Sequence, residues 1–279
     1  MDTFISEIRD FLSASGRNFE EECTEGIAVF RECGRSFGVI ALPVTELSAE
    51  EAELKSLAAR RLAAAMPDAA VVAEDRWMCG GMVQARLKAR IGLCAKVYAR
   101  NCEVRRIDKL TASAFLSENH SYGDAACKYR YGLFTRRTTG KGEKALAPGT
   151  LVAVAEFSNA RRWHVDGRDV MAYEWVRYAS KSWMRVNGGM GKLLQAFIDE
   201  VHPDDIMSYA DLEWSDGDAY RKLGFVADGD REPVLFTVDP LTYERTAVGK
   251  RGSTVIPDGS LFFMNLGSRK YRLKPYSGF

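Results

Sequence analysis

A glycine-rich segment between a predicted strand and a predicted helix is the feature of this sequence best suited to binding chemistry. Gly188, Gly189 and Gly191 stand in the run VNGGMGK. Glycine has no Cβ, so the backbone can approach a ligand closely, and the free N–H groups at the start of a helix attract anions. The pattern indicates a pyrophosphate site, and a tight turn that only joins strand to helix is the alternative. The predicted site comprises Asn187, Gly188, Gly189, Met190, Gly191 and Lys192.

The helix that follows must hold this segment in place. Apolar residues recur at helical spacing along one face, and Pro203 ends the pattern. The face consists of Met190, Leu193, Leu194, Phe197, Ile198 and Val201. Such a stripe predicts a helix packed against a sheet.

Two motifs, taken in order, resemble the GNAT acyltransferase superfamily. Gly189 and Gly191 match the glycines of its Gln/Arg-x-x-Gly-x-Gly/Ala segment, whose backbone holds the coenzyme A pyrophosphate. After the next predicted strand, Tyr220, Gly224 and Phe225 match its Tyr-x-x-x-Gly-Phe signature. The resemblance implies acetyl-CoA, or another acyl-CoA, as the cofactor.

One position departs from the family pattern. Val186 stands where the family has Gln or Arg, so Arg185 or Lys192 would have to supply that pyrophosphate contact. This departure favours an alternative in which the chain keeps a GNAT-like fold, catalyses no transfer and binds DNA. The spacing also does not fit a Walker loop, which requires Gly-x-x-x-x-Gly-Lys-Ser/Thr.

A longer series of segments resembles a phage-associated GNAT-like domain related to the Mom-type DNA-modification transferases. In its relatives, that domain follows a homing-endonuclease module similar to the very-short-patch-repair nuclease. The resemblance runs from about residue 70 to the end and implies a nucleobase in DNA as the acceptor. The matching segments are 74–77, 98–103, 115–123, 131–133, 151–153, 157–158, 174–177, 188–189, 208–211 and 214.

The GNAT resemblance implies proton-transfer roles, and the closer resemblance adds His120. Tyr220 matches the family acid, and its phenol, with an ordinary pKa of about 10, can protonate a departing thiolate. Glu174 and Asp211 are candidate bases, with a salt bridge as the alternative for either and Arg177 as the partner expected for Glu174. His120 is a candidate base or substrate contact near neutral pH, with a helix cap as its alternative.

The N-terminal region resembles the nuclease module but lacks its acids. A metal-dependent nuclease needs carboxylates on and beside a central strand. The candidate strand, 37–44, has none; Glu46 lies just beyond it, and Glu74 and Asp75 follow the next strand. We interpret the module as a degenerate relative without a metal site, and Mg²⁺-dependent nicking through Glu74 or Asp75 is the alternative.

Charge distribution favours a nucleic-acid partner. The net charge of the 279 residues is +1, but residues 76–106 hold eight lysines and arginines against one acid. Near the C-terminus, Arg269, Lys270 and Arg272 are interleaved with Tyr271, a pattern suited to phosphate contact and base stacking. Together with Arg177, these three cations are the predicted nucleic-acid contacts, and a solvated strand end is the alternative.

Composition and motifs together define the expected protein. The hydrophobic fraction of 46% and charged fraction of 28% are typical of a soluble globular chain, and no apolar run is long enough for a membrane span. The N-terminus lacks signal-peptide features, which predicts a cytoplasmic protein. We expect an α+β fold: a small α/β domain over residues 1–103, then a GNAT-like domain over residues 104–279 with a mixed, mostly antiparallel sheet flanked by helices. The predicted activity is acyl transfer to DNA; a non-catalytic DNA-binding protein and a small-molecule or protein N-acetyltransferase are the alternatives.

Overall fold

The computed structural model describes residues 2–139, 145–165, 167–249, 256 and 258–275. The helices are α1 (Asp2–Ser13), α2 (Ala49–Ala65), α3 (Glu74–Met78), α4 (Met82–Arg90), α5 (Lys109–Asn119), α6 (Gly189–Val201) and α7 (Asp218–Arg221). The first strands are β1 (Phe19–Thr24), β2 (Ile27–Glu32), β3 (Gly38–Leu42), β4 (Ala70–Ala73), β5 (Ala95–Tyr98), β6 (Cys102–Arg106), β7 (Tyr129–Thr135) and β8 (Leu151–Phe157). The later strands are β9 (Arg161–Val165), β10 (Arg168–Ser180), β11 (Met184–Asn187), β12 (Asp205–Asp211), β13 (Val226–Arg231), β14 (Leu235–Val238), β15 (Arg245–Ala247), β16 (Leu261–Met264) and β17 (Ser268–Leu273).

The chain forms two compact units that interleave along the sequence. The first contains residues 1–87, 210–218 and 229–269, and the second contains residues 88–209, 219–228 and 270–279. The predicted boundary between residues 103 and 104 therefore differs from the structure. The reason is packing: Val238, Phe263 and Leu266 join the apolar cluster of the N-terminal segment, and β5 pairs with β11 of the second unit.

The first unit is built around a sheet in the order β1-β2-β3-β4, in which only β3 and β4 run parallel. Every residue of β3 is buried. Ile40 and Leu42 pack in the cluster that includes α2, whereas Val39 and Ala41 pack in the cluster that includes α1. Strand β3 is therefore apolar on both faces, as the sequence predicts.

The second unit contains most of the large sheet, whose order is β13-β17-β12-β10-β8-β7-β6, with β9 paired to β10. The pairs β6–β7, β7–β8, β8–β10 and β9–β10 are antiparallel, and β10–β12 is parallel. Helix α6 packs through Phe197 against Phe157 and Tyr173 of the sheet. The predicted apolar stripe is thus real, and the predicted α+β class with a mostly antiparallel sheet flanked by helices is confirmed. No helix in the described ranges is long and apolar enough to cross a bilayer.

Candidate functional site

The glycine-rich segment forms the start of α6. Gly188 caps the helix at φ 76°, a left-handed conformation that favours glycine, and no side chain supplies a capping hydrogen bond. No acidic residue lies in the first turn. The backbone N–H groups of this turn therefore remain suited to an anion.

The two family-matched glycines have different reasons to lack a side chain. A Cβ at Gly189 would lie 2.8 Å from the Tyr178 hydroxyl oxygen and 3.0 Å from a Val186 methyl group, so Gly189 is required by packing. A Cβ at Gly191 would lie 3.1 Å from Leu223 Cδ2, a flexible side-chain end. Of these two glycines, Gly191 is the one that lines an open space beside α6.

That space is a groove of about 540 Å³ in the second unit. Residues of α6 form one wall of the groove, and the residues that follow α7 form another. Because Gly191 is among the lining residues, the groove lies beside the glycine-rich turn. Its lining residues are Gly191, Leu194, Gln195, Ile198, Asp199, Lys222, Leu223, Leu273 and Pro275. Gln195, Asp199 and Lys222 are exposed, so the groove combines an apolar wall with one acid and one cation.

Other residues of the predicted turn are held by the protein itself. Lys192 Nζ donates to the carbonyl oxygens of Ala99, at 3.0 Å, and Cys102, at 2.7 Å. Asn187 is the last residue of β11 and pairs with Tyr98. The ammonium group of Lys192 is therefore committed to backbone carbonyls and is poorly placed to replace the family's Gln or Arg.

The parallel pairing of β10 and β12 ends partway along both strands. Its last pair is Glu174–Met207, although both strands continue. One residue further on, the Ser208 hydroxyl donates to the Trp175 carbonyl oxygen at 2.9 Å. A side chain thus replaces the ladder hydrogen bond, which marks an opening in the sheet.

Tyr220 places its hydroxyl at this opening. The Ser208 hydroxyl lies 2.8 Å from the Tyr220 hydroxyl oxygen. The Tyr220 ring stacks on Tyr271, with centroids 5.4 Å apart, and meets Trp175 edge-on. Burial raises the pKa of Tyr220, against the lowering effect of the Ser208 hydrogen bond, so the phenol is protonated at neutral pH.

Glu174 does not form the salt bridge with Arg177 that was the alternative to a role as base. Arg177 instead donates through Nε to the Gly123 carbonyl at 3.0 Å and through Nη1 to the Val176 carbonyl at 3.0 Å. The Glu174 side chain is partly exposed and has no hydrogen bond or ion pair with any described residue. It remains chemically available, whereas Arg177 is a structural contact that fits a nucleic-acid role poorly.

The remaining candidate bases have local structural roles. His120 follows α5 as its C-cap, and its Nδ1 accepts from the Tyr122 amide at 3.1 Å, which fits the helix-cap alternative. Asp211 belongs to the first unit, where its Oδ1 accepts from the Glu213 amide at 3.0 Å. Neither arrangement points to proton transfer with Tyr220.

Sequence reasoning missed a buried carboxyl group in the second unit, Glu156 on β8. Glu156 is fully buried, accepts from Arg130 Nε at 3.0 Å and leaves its Oε2 without a hydrogen-bond partner. Burial, with the charge of Asp124 second, raises the pKa of Glu156 to about 7. The signal was an acid inside the apolar run LVAVAEF.

The predicted basic strand β17 is neutralised by aspartates. Arg269 binds Asp230 through two hydrogen bonds of 2.8 and 3.0 Å within the first unit. In the second unit, Lys270 pairs with Asp228 at 2.6 Å, and Arg272 pairs with Asp205 at 2.6 Å. These pairs favour the solvated-strand alternative over a phosphate-binding surface.

The N-terminal acids also have protein partners. Glu46 pairs with Lys55 at 2.6 Å, Glu74 accepts from the Val44 amide at 2.9 Å, and Asp75 forms a bidentate pair with Arg245. Over the described ranges, no three histidine, cysteine, aspartate or glutamate side chains form a group suited to a metal ion. The arrangement gives no support to the nicking alternative.

No protein-family model matches the sequence, and no curated protein matches it. Among solved structures, one from Corynebacterium glutamicum, described as histone acetyltransferase HPA2 and related acetyltransferase, is 13% identical, covers 63% of this chain and 96% of its own, and has a TM-score of 0.35. A mutant AtaT toxin bound to the C-terminus of the antitoxin AtaR and acetyl-CoA is 10% identical, with coverages of 59% and 93% and a TM-score of 0.29. A conserved Enterococcus faecalis protein described as a probable N-acyltransferase is 13% identical, with coverages of 49% and 34% and a TM-score of 0.28. At these values, the similarities establish neither a family nor an activity for this chain.

Proposed function

We propose that the second unit is an acyl-CoA-dependent transferase of the GNAT type and that its acceptor is a nucleobase in DNA. The observation that carries the proposal is the position of the Tyr220 hydroxyl, which lies where the pairing of β10 and β12 ends. A proton donor at a gap between parallel strands, in the unit that also contains the groove beside Gly191, is the arrangement that the GNAT resemblance implies for acyl transfer.

The residues around the groove fit the two ends of an acyl-CoA. The start of α6 offers backbone N–H groups without a competing acid, and Lys222 adds positive charge, so this end suits a pyrophosphate. Leu194, Leu223 and Leu273 supply apolar surface for the pantetheine arm. The groove volume of about 540 Å³ lies within the usual range for small-molecule sites.

When bound, an acyl-CoA would supply an activated thioester carbonyl. Tyr220 would donate its proton to the departing sulfur as the carbon–sulfur bond breaks. Glu174 would accept the proton that the acceptor nitrogen loses as the new carbon–nitrogen bond forms. Its lack of a protein partner among the described side chains supports this role.

The DNA acceptor is supported by the resemblance of residues 115–123 and 208–211 to the Mom-type domain. The exposed Arg161 and Arg168 of the second unit are compatible with such a polyanionic acceptor.

Calorimetry with acetyl-CoA tests the cofactor half of the proposal. We expect wild-type protein to bind and Gln195→Trp, which places an indole in the groove, to bind at least tenfold more weakly. Gln195→Ala is the matched control and should bind like wild type, because the groove stays open. Absence of binding by wild type, or equal binding by all three proteins, would overturn the cofactor assignment.

Charge at the groove gives a second arm to the same experiment. Lys222→Glu should weaken acetyl-CoA binding because it places a negative charge beside the pyrophosphate. Lys109→Glu makes the same charge change on an exposed residue of α5 and should have no effect. Equal effects of the two substitutions would mean that the groove does not hold the pyrophosphate.

A DNA-binding protein without coenzyme chemistry is the second candidate. The hydrogen bonds of Lys192 to two carbonyl oxygens favour this candidate. Lys192 is then poorly placed to supply the pyrophosphate contact that Val186 cannot make. This candidate predicts DNA affinity with steep salt dependence and no heat of acetyl-CoA binding. A small-molecule or protein N-acetyltransferase would instead bind acetyl-CoA and show no salt-sensitive DNA binding.

A further inference from the structure

A two-stranded ribbon in the second unit has two chemically different faces. Strand β9 pairs antiparallel with the first five residues of β10, and directly opposed residues lie on the same face. The register pairs Trp163 with Val170 and His164 with Asp169. One face therefore carries Arg161, Trp163, Arg168 and Val170, and the other carries Arg162, His164, Asp169 and Met171.

The second of these faces is neutralised. Arg162 Nη1 lies 3.6 Å from Asp169 Oδ2, and His164 Nδ1 lies 3.2 Å from Asp169 Oδ1. Asp169 thus faces the cation and the imidazole on its own side of the ribbon. This face offers a polyanion little uncompensated charge.

The first face keeps its positive charge. Arg161 and Arg168 are exposed, and neither side chain forms an ion pair or hydrogen bond with another described residue. Between them, the Trp163 side chain is 53% exposed. Two residues along a strand span about 6.6–6.8 Å, so Arg161 stands about one nucleotide step from the indole.

We infer that this face, Arg161–Trp163–Arg168, binds nucleic acid with an unstacked base on Trp163 and backbone phosphates on the two arginines. Aromatic rings stack on bases of any sequence, and flanking guanidinium groups neutralise phosphate. The inference deepens the proposed function and rests on it for the choice of DNA over RNA. It assigns a substrate contact remote in sequence from the cofactor turn.

The composition of the face argues against other polyanionic partners. Membrane binding requires a broad apolar surface, and Val170, the apolar neighbour of Trp163 on this face, is only partly exposed. An acidic peptide would use the arginines but would leave the indole without a stacking partner. Nucleic acid uses both features at once.

Fluorescence anisotropy with a labelled 20-nucleotide single strand and its duplex, in the absence of acyl-CoA, tests the inference. We expect Arg161→Ala/Arg168→Ala to weaken single-strand binding at least tenfold. Trp163→Ala should weaken single-strand binding at least fivefold and duplex binding less, because stacking requires an unpaired base. Arg162→Ala, on the neutralised face, is the matched control and should bind like wild type.

The outcomes separate the surface from the reaction. Equal weakening by Arg162→Ala and by the double variant, or unchanged single-strand binding by Trp163→Ala, would overturn the inference. Arginine-dependent binding to phosphatidylserine vesicles without oligonucleotide binding would also overturn it. DNA binding that depends on Arg161, Trp163 and Arg168, in a protein that binds no acetyl-CoA, would support the inference. The proposed transferase activity would then fail.

Discussion

Strand β17 and the β9–β10 ribbon both carry several cations, yet they differ in what faces those cations. In β17, Arg269, Lys270 and Arg272 each meet an aspartate. In the ribbon, Arg161 and Arg168 have no acidic partner in the described part of the chain. The number of cations alone therefore does not identify a phosphate-binding surface. Cations without an acidic partner do.

The arginines beside the buried Glu156 form a third environment. The pH dependence of stability at Glu156 is the largest effect that we expect. Glu156 opposes Arg130 on β7 and Arg177 on β10, and burial raises its pKa to about 7. The folded protein then holds this proton more tightly than the unfolded chain. The associated stability is therefore complete below the ordinary carboxyl pKa and is lost as pH rises through about 7.

For wild type, the contribution of Glu156 to the free energy of unfolding should fall by about 2.5 kcal/mol between pH 5 and pH 8. Urea unfolding across this range measures it, and Glu156→Gln should flatten the profile because the group no longer titrates. Parallel profiles for wild type and variant would show that Arg130 keeps Glu156 ionised, as the arginines of β17 do with their aspartates.

For the arginines of β17, the different burial of their aspartate partners predicts unequal effects on stability. Arg272→Ala strips the partner from Asp205, whose side chain is 4% exposed and whose Oδ1 already lacks a hydrogen bond. Because Arg272 itself is 38% exposed, we expect a loss of about 2 kcal/mol, below that for a fully buried pair. Arg269→Ala should cost less than about 1 kcal/mol, since its partner Asp230 is 38% exposed. Urea unfolding compares the two variants, and equal losses would contradict this ranking.

Salt dependence distinguishes the two regions directly. Removing Arg161 and Arg168 should lower the slope of log affinity against log salt by about 1.4 for a single strand, or about 0.7 for each lost phosphate contact. Arg269→Ala/Lys270→Ala should leave the slope unchanged, because those cations are already neutralised. A reduced slope in the β17 variant would erase the distinction between the two regions.

The smallest expected effect concerns the exposed acids of β13 that pair with β17. Hydrogen bonds from Lys270 and Arg269 lower the pKa values of Asp228 and Asp230. Their contribution to stability is therefore present above the ordinary carboxyl pKa and is lost as pH falls through the lowered values. The stability difference between wild type and Asp230→Asn should shrink below pH 4 in urea unfolding, and a difference that grows there would contradict the pairing.

Local features of the site could be predicted from sequence because they depend on neighbouring residues. The apolar stripe of α6 and the left-handed Gly188 follow from residues within two helical turns. The placement of Tyr220 beside β12 follows from the order of its motif after that strand.

Pairings between distant residues could not be predicted in the same way. Arg272 meets Asp205, 67 residues earlier, and Asp75 meets Arg245, 170 residues later. Sequence charge counts place these cations in basic stretches but cannot show which acids the sheet brings beside them. The interleaving of the two units could not be predicted for the same reason. Val238 and Phe263 pack with the N-terminal cluster across a long sequence separation.

Transfer of labelled acyl groups from acetyl-CoA to DNA tests the central claim most directly. Wild type should label DNA, and Tyr220→Phe, which keeps the stacked ring but removes the proton donor, should lose about 100-fold in rate while still binding acetyl-CoA. Arg162→Ala is the control that should retain full activity. Wild type that binds both acetyl-CoA and DNA but transfers no label, or Tyr220→Phe as active as wild type, would contradict the account.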